Sequence, residues 1–208
     1  METGWAGNIM QMLDKLVKLV WMNCLWVFFT LLGGIILGLM PATAAVSSLV
    51  RKMIKNEEVE SVFREFWTLY KNNFKSSNII GIFFWIAVLF IYIDFNFLIT
   101  TSNMVGTVLL IGVSMLFFIL TGLLLHFFPI YSRFEMKKSE YLKLAFVMTM
   151  TKPITTILMV LWLFVVGILC IEFTVLIPLL FIVLVILGIN WLSIVQIEKK
   201  DDQLLKNN

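Results

Sequence analysis

The side chains best suited to acid–base, thiolate or metal chemistry within the apolar part of this chain are Asp94, Glu172, His126, Cys24 and Cys170. Asp94 and Glu172 are far apart in sequence, yet each ends a long apolar run. Brought together at one bilayer surface they could hold a cation or a polar solute, whereas singly each is an ordinary wet helix end. His126 is the one histidine, and the run from 95 to 132 around it holds no Asp, Glu, Lys or Arg. A proton relay needs such neighbours, so His126 reads as a satisfied or interfacial imidazole. Cys24 and Cys170 have no metal-ligand spacing and read as small apolar packing residues. The chain has no H-E-x-x-H, no G-x-S-x-G and no phosphate-binding glycine loop. The expectation is a protein without enzymatic activity, cofactor or metal.

The elements that must position these residues are read from charge. All sixteen Lys and Arg fall outside five charge-free stretches, 19–50, 76–93, 95–132, 153–171 and 173–197. A helix crossing the hydrocarbon core needs about 20 apolar residues, and a bare charge at its centre costs on the order of 3 kcal/mol or more. The pattern predicts an all-α, polytopic transmembrane bundle, one membrane domain over 1–208, with spans at about 19–39, 78–98, 105–128, 154–170 and 173–195. A hydrophobic content of 61% and a mean hydropathy of +0.98 exceed what a soluble domain can bury. The net charge of +3 is spread over several loops and offers no clustered face for nucleic acid. Glu2 and Asp14 near the start, with no cationic start leading into an apolar core, do not resemble a removable signal peptide.

Between the spans the periodicity changes. Ile9, Leu13, Leu16, Val17 and Val20 recur at helical spacing opposite Gln11, Asp14, Lys15 and Lys18, an interfacial helix leading into the first span. Gly34 and Gly38 form a G-x-x-x-G step continued by Ala42 and Ala45, either a helix-packing face, on which a homo-oligomer could be built, or simple glycine tolerance. Pro41, Ala42 and Thr43 read as a hinge at the membrane surface, where the Thr hydroxyl can satisfy a freed backbone group. A sharper alternative places an anionic group such as a lipid phosphate at a helix N-terminus here, assisted by Arg51 and Lys52. Within the segment 51–75, Asn56 can cap a helix carrying Glu57 and Glu58 in its first turn. Phe63, Phe66, Tyr70 and Phe74 lie on its apolar stripe, for the membrane, the bundle itself or a partner protein. A second basic segment, 131–152, contains Arg133, with Ser139-Glu140 as a helix start and Pro153 as its limit.

Counted by loop, Lys and Arg number six after the first span, none after the second, five after the third and none after the fourth. By the positive-inside rule both basic loops and the tail are cytoplasmic, which makes this a multi-pass protein of the cell membrane. A single crossing by the first span then puts the N-terminus outside, against Lys15 and Lys18. The alternative is a re-entrant pair broken at Gly33-Gly34 with both ends inside. Five spans is the reading adopted.

The run Asn23-Cys24-Leu25-Trp26, the step Gly38-Leu39-Met40-Pro41-Ala42-Thr43-Ala44-Ala45, then Val50-Arg51-Lys52, Ser61-Val62-Phe63-Arg64-Glu65-Phe66 and Asn73-Phe74-Lys75 resemble the YesL-like integral membrane proteins of Gram-positive bacteria. The segment Phe128-Pro129-Ile130-Tyr131-Ser132-Arg133-Phe134-Glu135 is similar to the one those proteins carry after their third span. The resemblance brings no catalytic residues with it. It implies neighbourhood to carbohydrate ABC uptake systems and polysaccharide-degrading enzymes, hence an accessory role beside sugar permease subunits. The rival is a small homo-oligomeric channel or transporter built around the Gly34–Gly38 face.

Overall fold

The computed structural model describes residues 5–100 and 104–206. Among them the chain forms seven α-helices and no strand: α1 (Trp5–Leu32), α2 (Ile36–Ile54), α3 (Val62–Ile99), α4 (Met104–Arg133), α5 (Lys138–Thr151), α6 (Pro153–Glu172) and α7 (Leu176–Lys206). Five of these, α1, α3, α4, α6 and α7, are long and apolar enough to cross a membrane. The chain is a multi-pass helical membrane protein.

Its path departs from expectation at the start. No unbroken helix covers 19–39. α1 stops at Leu32, the chain turns over Gly33-Gly34-Ile35, and α2 returns along α1, passing through Pro41 on its way to Ile54. Gly34 takes a left-handed φ of 72°, which lets the Ile35 N–H reach the Thr30 carbonyl (2.9 Å) and the Gly34 N–H the Leu31 carbonyl (3.0 Å). This is a Schellman closure. Ile35 follows at φ 63°, ψ −68°, with the Ile36 N–H turned back onto the Gly34 carbonyl at 2.8 Å, a γ-turn that a β-branched residue adopts only under strain. Just past the turn the two backbones nearly touch. A Cβ on Gly33 would stand 2.3 Å from the Gly38 Cα, and one on Gly38 would stand 2.4 Å from the Thr30 carbonyl oxygen.

At the open end of this hairpin the Lys15 ammonium donates to the Asn56 side-chain carbonyl (3.1 Å). Lys15 and Lys18 therefore share one end of the hairpin with Arg51, Lys52 and Lys55, and the charge conflict of a single crossing does not arise. Asn56 does not begin a helix either. At φ 54° it ends α2, its N–H on the Met53 carbonyl (3.1 Å) and the Glu57 N–H on the Lys52 carbonyl (2.9 Å). Ser61 caps α3 instead, its hydroxyl accepting from the Arg64 N–H at 3.5 Å. α3 then runs unbroken for 38 residues, about 57 Å at 1.5 Å each, fusing the expected amphipathic segment with the expected second span. No Gly or Pro lies between Ser61 and Ile80 to part them. α4 likewise continues through Pro129 to Arg133, and Pro153 opens α6 just after α5 ends at Thr151.

α2 is the hub, packing on α1, α3, α4 and α7. Residues 40–47 are buried on every side, with Ala42, Ala44 and Ala45 fully enclosed. One apolar core joins α1, α2, the first turns of α3 and α7 through Met22, Leu49, Phe66 and Val183. A second joins α2, α3, α4 and α5 through Met40, Phe84, Phe127 and Ala145. A third, smaller one joins α4, α6 and α7 through Leu125, Met159 and Ile189. The last turns of α3 and the first turns of α4 leave most of their apolar side chains exposed, as lipid-facing surface does.

Candidate functional site

A membrane helix best tolerates an internal proline where another group serves the carbonyl that the proline leaves without its N–H partner. For Pro41 that carbonyl belongs to Leu37, and the Asn78 carboxamide of α3 donates to it at 2.9 Å. Two residues on, the Thr43 hydroxyl donates back to the Leu39 carbonyl (2.7 Å) and accepts from the Trp26 indole of α1 (3.0 Å). The Pro41-Ala42-Thr43 step is thus a buried junction rather than a surface hinge. Its alanines leave room for neighbouring helices, and its polar groups tie it to α1 and α3.

A second polar lock sits further along α2. The Ser47 hydroxyl donates to the Phe128 carbonyl of α4 (3.1 Å), next to Pro129, and accepts from the Asn190 carboxamide of α7 (3.0 Å). A third joins α1 to α7. The Asn23 carboxamide donates to the Pro178 carbonyl (2.7 Å) and accepts from the Ile182 and Val183 N–H groups (3.1 and 3.3 Å). Asn23 and Asn190 thus make the interhelical bonds expected of polar groups in spans. Asn96, by contrast, bonds the Tyr92 carbonyl of its own helix (2.7 Å).

The motifs after the first and third spans meet across α3, α4 and α5. The Tyr131 hydroxyl donates to the Asn73 carboxamide (3.0 Å) and touches the Ser76 hydroxyl. Tyr141 donates to the Phe134 carbonyl (2.7 Å) and accepts from the Met136 N–H (3.0 Å). The two rings are 4.9 Å apart and pack with Phe127.

The residues expected to meet a partner or lipid divide. Phe66 and Tyr70 are buried on Phe29, and the Tyr70 hydroxyl donates to the Phe29 carbonyl (3.2 Å). Phe74 packs partly against the same core, and Lys52 is paired with Glu65 at 2.7 Å. Phe63 stays about half exposed. Arg133 stacks over Phe134 at 5.2 Å. Arg51 and Lys52 belong to the last turn of α2, so they do not flank a helix N-terminus, and the anion arrangement imagined at the Pro41 step does not form. Gly34 lies in the turn with open space around its Cα, while Gly38 is covered by Phe29 and Thr30 of α1. The two glycines therefore present no common face to another subunit.

Asp94 and Glu172 are both exposed, on α3 and α6, and no ion pair or hydrogen bond joins them among the described residues. His126 is buried, its Nε2 3.1 Å from the Thr156 hydroxyl. Cys24 and Cys170 are free thiols, and no group of three or more His, Cys, Asp or Glu among the described residues could hold a metal ion. At the open end of the hairpin lies a cleft of about 520 Å³ whose walls include Gln11, Asp14, Lys15, Lys18, Asn56 and Glu57. Asn78, Ser47 and Tyr141 were not singled out by sequence, and Tyr131 entered only as part of the segment 128–135. The one signal pointing toward Asn78 was Pro41 itself, which demands a donor without saying from where.

A family model described as "Protein of unknown function, DUF624" matches residues 19–95, the second half of α1, all of α2 and α3 as far as Phe95. Three curated proteins of Bacillus subtilis (strain 168) are similar. Uncharacterized protein YteU is 32% identical over 146 residues, 70% of this chain and 65% of its own length, so the match spans just under two thirds of that relative. Uncharacterized protein YesL is 31% identical over 165 residues, 79% of this chain and 77% of its own length. Uncharacterized protein YesV is 30% identical over 148 residues, 69% of each. No solved structure matches.

Proposed function

Since the chain belongs to the YesL-like family that the DUF624 model describes, we propose that it is a non-catalytic accessory or regulatory subunit of the cytoplasmic membrane, associated with a carbohydrate ABC-type permease. The observation that carries this reading is the gathering of cations at one end of the hairpin. Lys15, Lys18, Arg51, Lys52 and Lys55 come together there through the Lys15–Asn56 bond, Lys18 paired with Asp14 and Lys52 with Glu65, beside the exposed Phe63 and Arg64 of α3. By the positive-inside rule that end is cytoplasmic, where it offers a polar surface to a partner. Inside the bundle the carboxamides of Asn23 and Asn190 are occupied in joining helices, which suits a scaffold better than a solute path. The covering of Gly38 by α1 also removes the face on which a homo-oligomeric channel was to be built. The sugar connection rests on the resemblance to proteins encoded beside carbohydrate uptake systems.

The test is copurification of the tagged full chain from its native membrane in mild detergent. A sugar permease subunit at near-equal ratio is the expected result. Recovery of the chain alone, or only with copies of itself, would count against the reading.

A further inference from the structure

Three apolar runs meet α2 at their basic, cytoplasmic ends. The Leu37 carbonyl accepts from Asn78, just past Lys75. The Ser47 hydroxyl bonds the Phe128 carbonyl, shortly before Arg133, and the Asn190 carboxamide, ahead of Lys199 and Lys200. Leu37 and Ser47 stand about 15 Å apart along α2, yet both lie at the end that the positive-inside rule places in the cytoplasm. A helix that crossed the bilayer would approach the outer ends of its neighbours over that length.

α3 gives the same answer. It accompanies α2 from the Lys52–Glu65 pair to the Asn78–Leu37 bond. With the hairpin tip outside, the exposed Arg64, Lys71 and Lys75 would lie in hydrocarbon, at a cost on the order of 3 kcal/mol or more each. The apolar run from Ile79 to Ile99 would then stand in water beyond the outer surface.

α7 fixes the hairpin's direction. Asn23 and Ser47 lie about opposite each other, between the Lys15–Asn56 and Trp26–Thr43 links. Asn23 meets α7 at Pro178, Ile182 and Val183, whereas Ser47 meets it at Asn190. α7 therefore crosses the hairpin instead of running along it, and α1 lies on the side of α2 nearer the bilayer centre. Met10, Leu13, Val17, Trp21, Phe28 and Leu31 form an exposed apolar stripe on α1, flanked by Asp14 and Lys18, which pair at 2.9 Å. Such a stripe is the lipid-facing side of a helix lying in the membrane plane.

We propose that the α1–α2 hairpin lies along the cytoplasmic half of the bilayer without crossing it. α2 is at the surface, the Met10–Leu31 stripe of α1 rests against lipid acyl chains, and the four crossings are made by α3 from Asn78 onward, α4, α6 and α7.

Two measurements on the full chain, with Cys24 and Cys170 replaced by alanine, test this. Ile36→Cys, at the tip, should escape an impermeant maleimide added outside intact cells and react with it in inside-out vesicles; Thr174→Cys, in the α6–α7 link, should do the reverse. Reaction of Ile36→Cys from outside overturns the proposal. In nanodiscs, spin labels placed singly at Val17→Cys, Trp21→Cys, Phe28→Cys and Leu31→Cys should meet oxygen in preference to a water-soluble nickel complex, with no depth maximum along the series. A crossing helix carries Leu31 about 21 Å from Val17, so its labels pass through a maximum near the bilayer centre. That profile, or labels that meet the nickel complex in preference to oxygen, overturns the placement.

Discussion

Replacing Asn78 by alanine tests the hub of the fold at its most exacting bond. Pro41 deprives the Leu37 carbonyl of its helical partner, and Asn78 supplies a donor at 2.9 Å. A buried carbonyl left unsatisfied costs about 1–3 kcal/mol, while interhelical bonds in membrane proteins average about 0.6 and reach about 1.7 kcal/mol. Leu37 stands at the exposed tip of the hairpin, where water at the bilayer surface offers partial relief, so a loss of about 1–1.5 kcal/mol is expected from Asn78→Ala. The informative quantity is the coupling. Pro41→Ala restores the N–H that serves Leu37, so Asn78→Ala made on top of it should cost no more than about 0.3 kcal/mol, leaving a coupling of roughly 1 kcal/mol. All four proteins are unfolded by SDS titration in bicelles and followed by far-UV circular dichroism and by the fluorescence of the seven tryptophans. Equal cost of Asn78→Ala in both backgrounds refutes the pairing of the freed carbonyl with Asn78.

Further outcomes follow from the same hairpin. Single cysteines at Asn8 and Glu58, on either side of its open end, should both be shielded from an impermeant maleimide added outside intact cells; labelling of Asn8 alone would restore the single crossing. Gly38→Val should cost about 3 kcal/mol or more, because a side chain there meets the Thr30 backbone at 2.4 Å. Gly34→Ala, with open space but φ 72°, should cost only about 1 kcal/mol; a reversal of that order in the same titration would contradict the packing. Ile35→Gly should stabilise the chain by up to about 1 kcal/mol, since it relieves a left-handed isoleucine that buries little. A destabilised Ile35→Gly would mean that the γ-turn is not strained.

What could be read in advance and what could not divide along physical lines. Long apolar runs bounded by charge depend on solvation alone, and they gave the helical class and the number of apolar helices long enough to cross. The misreadings fall where a local signal has two outcomes that only tertiary contacts separate. Gly33-Gly34 can sit within a membrane helix or end one, and the choice depended on whether α2 could come within van der Waals reach of α1, which Gly38 permits. Asn56 before two glutamates is a good N-cap by composition, but an asparagine tolerates the left-handed conformation equally well, and the closure of α2 claimed it. Phe66 and Tyr70 were placed correctly on one apolar stripe; what no periodicity reveals is whether such a stripe faces lipid, a partner or, as here, Phe29 of the same chain.

The same contacts explain why α2, the least obvious helix in the sequence, occupies the centre. A helix enclosed by four others needs small side chains where they approach, and Gly38, Ala42, Ala44 and Ala45 supply them. Small side chains give little burial of their own, so the helix must be held by directional bonds. Thr43 and Ser47 face Trp26, Phe128 and Asn190, and the proline that would weaken the helix becomes the point at which α3 attaches through Asn78. Each bond is modest alone. Together they fix which helix lies beside which, a specificity that lipid-like apolar contact cannot provide, because in a bilayer leucine gains little by choosing one apolar neighbour over another. The charges complete the argument: once α2 turns back along α1, the cations at both hairpin ends fall on one side, and the chain satisfies the positive-inside rule without an exception at its N-terminus.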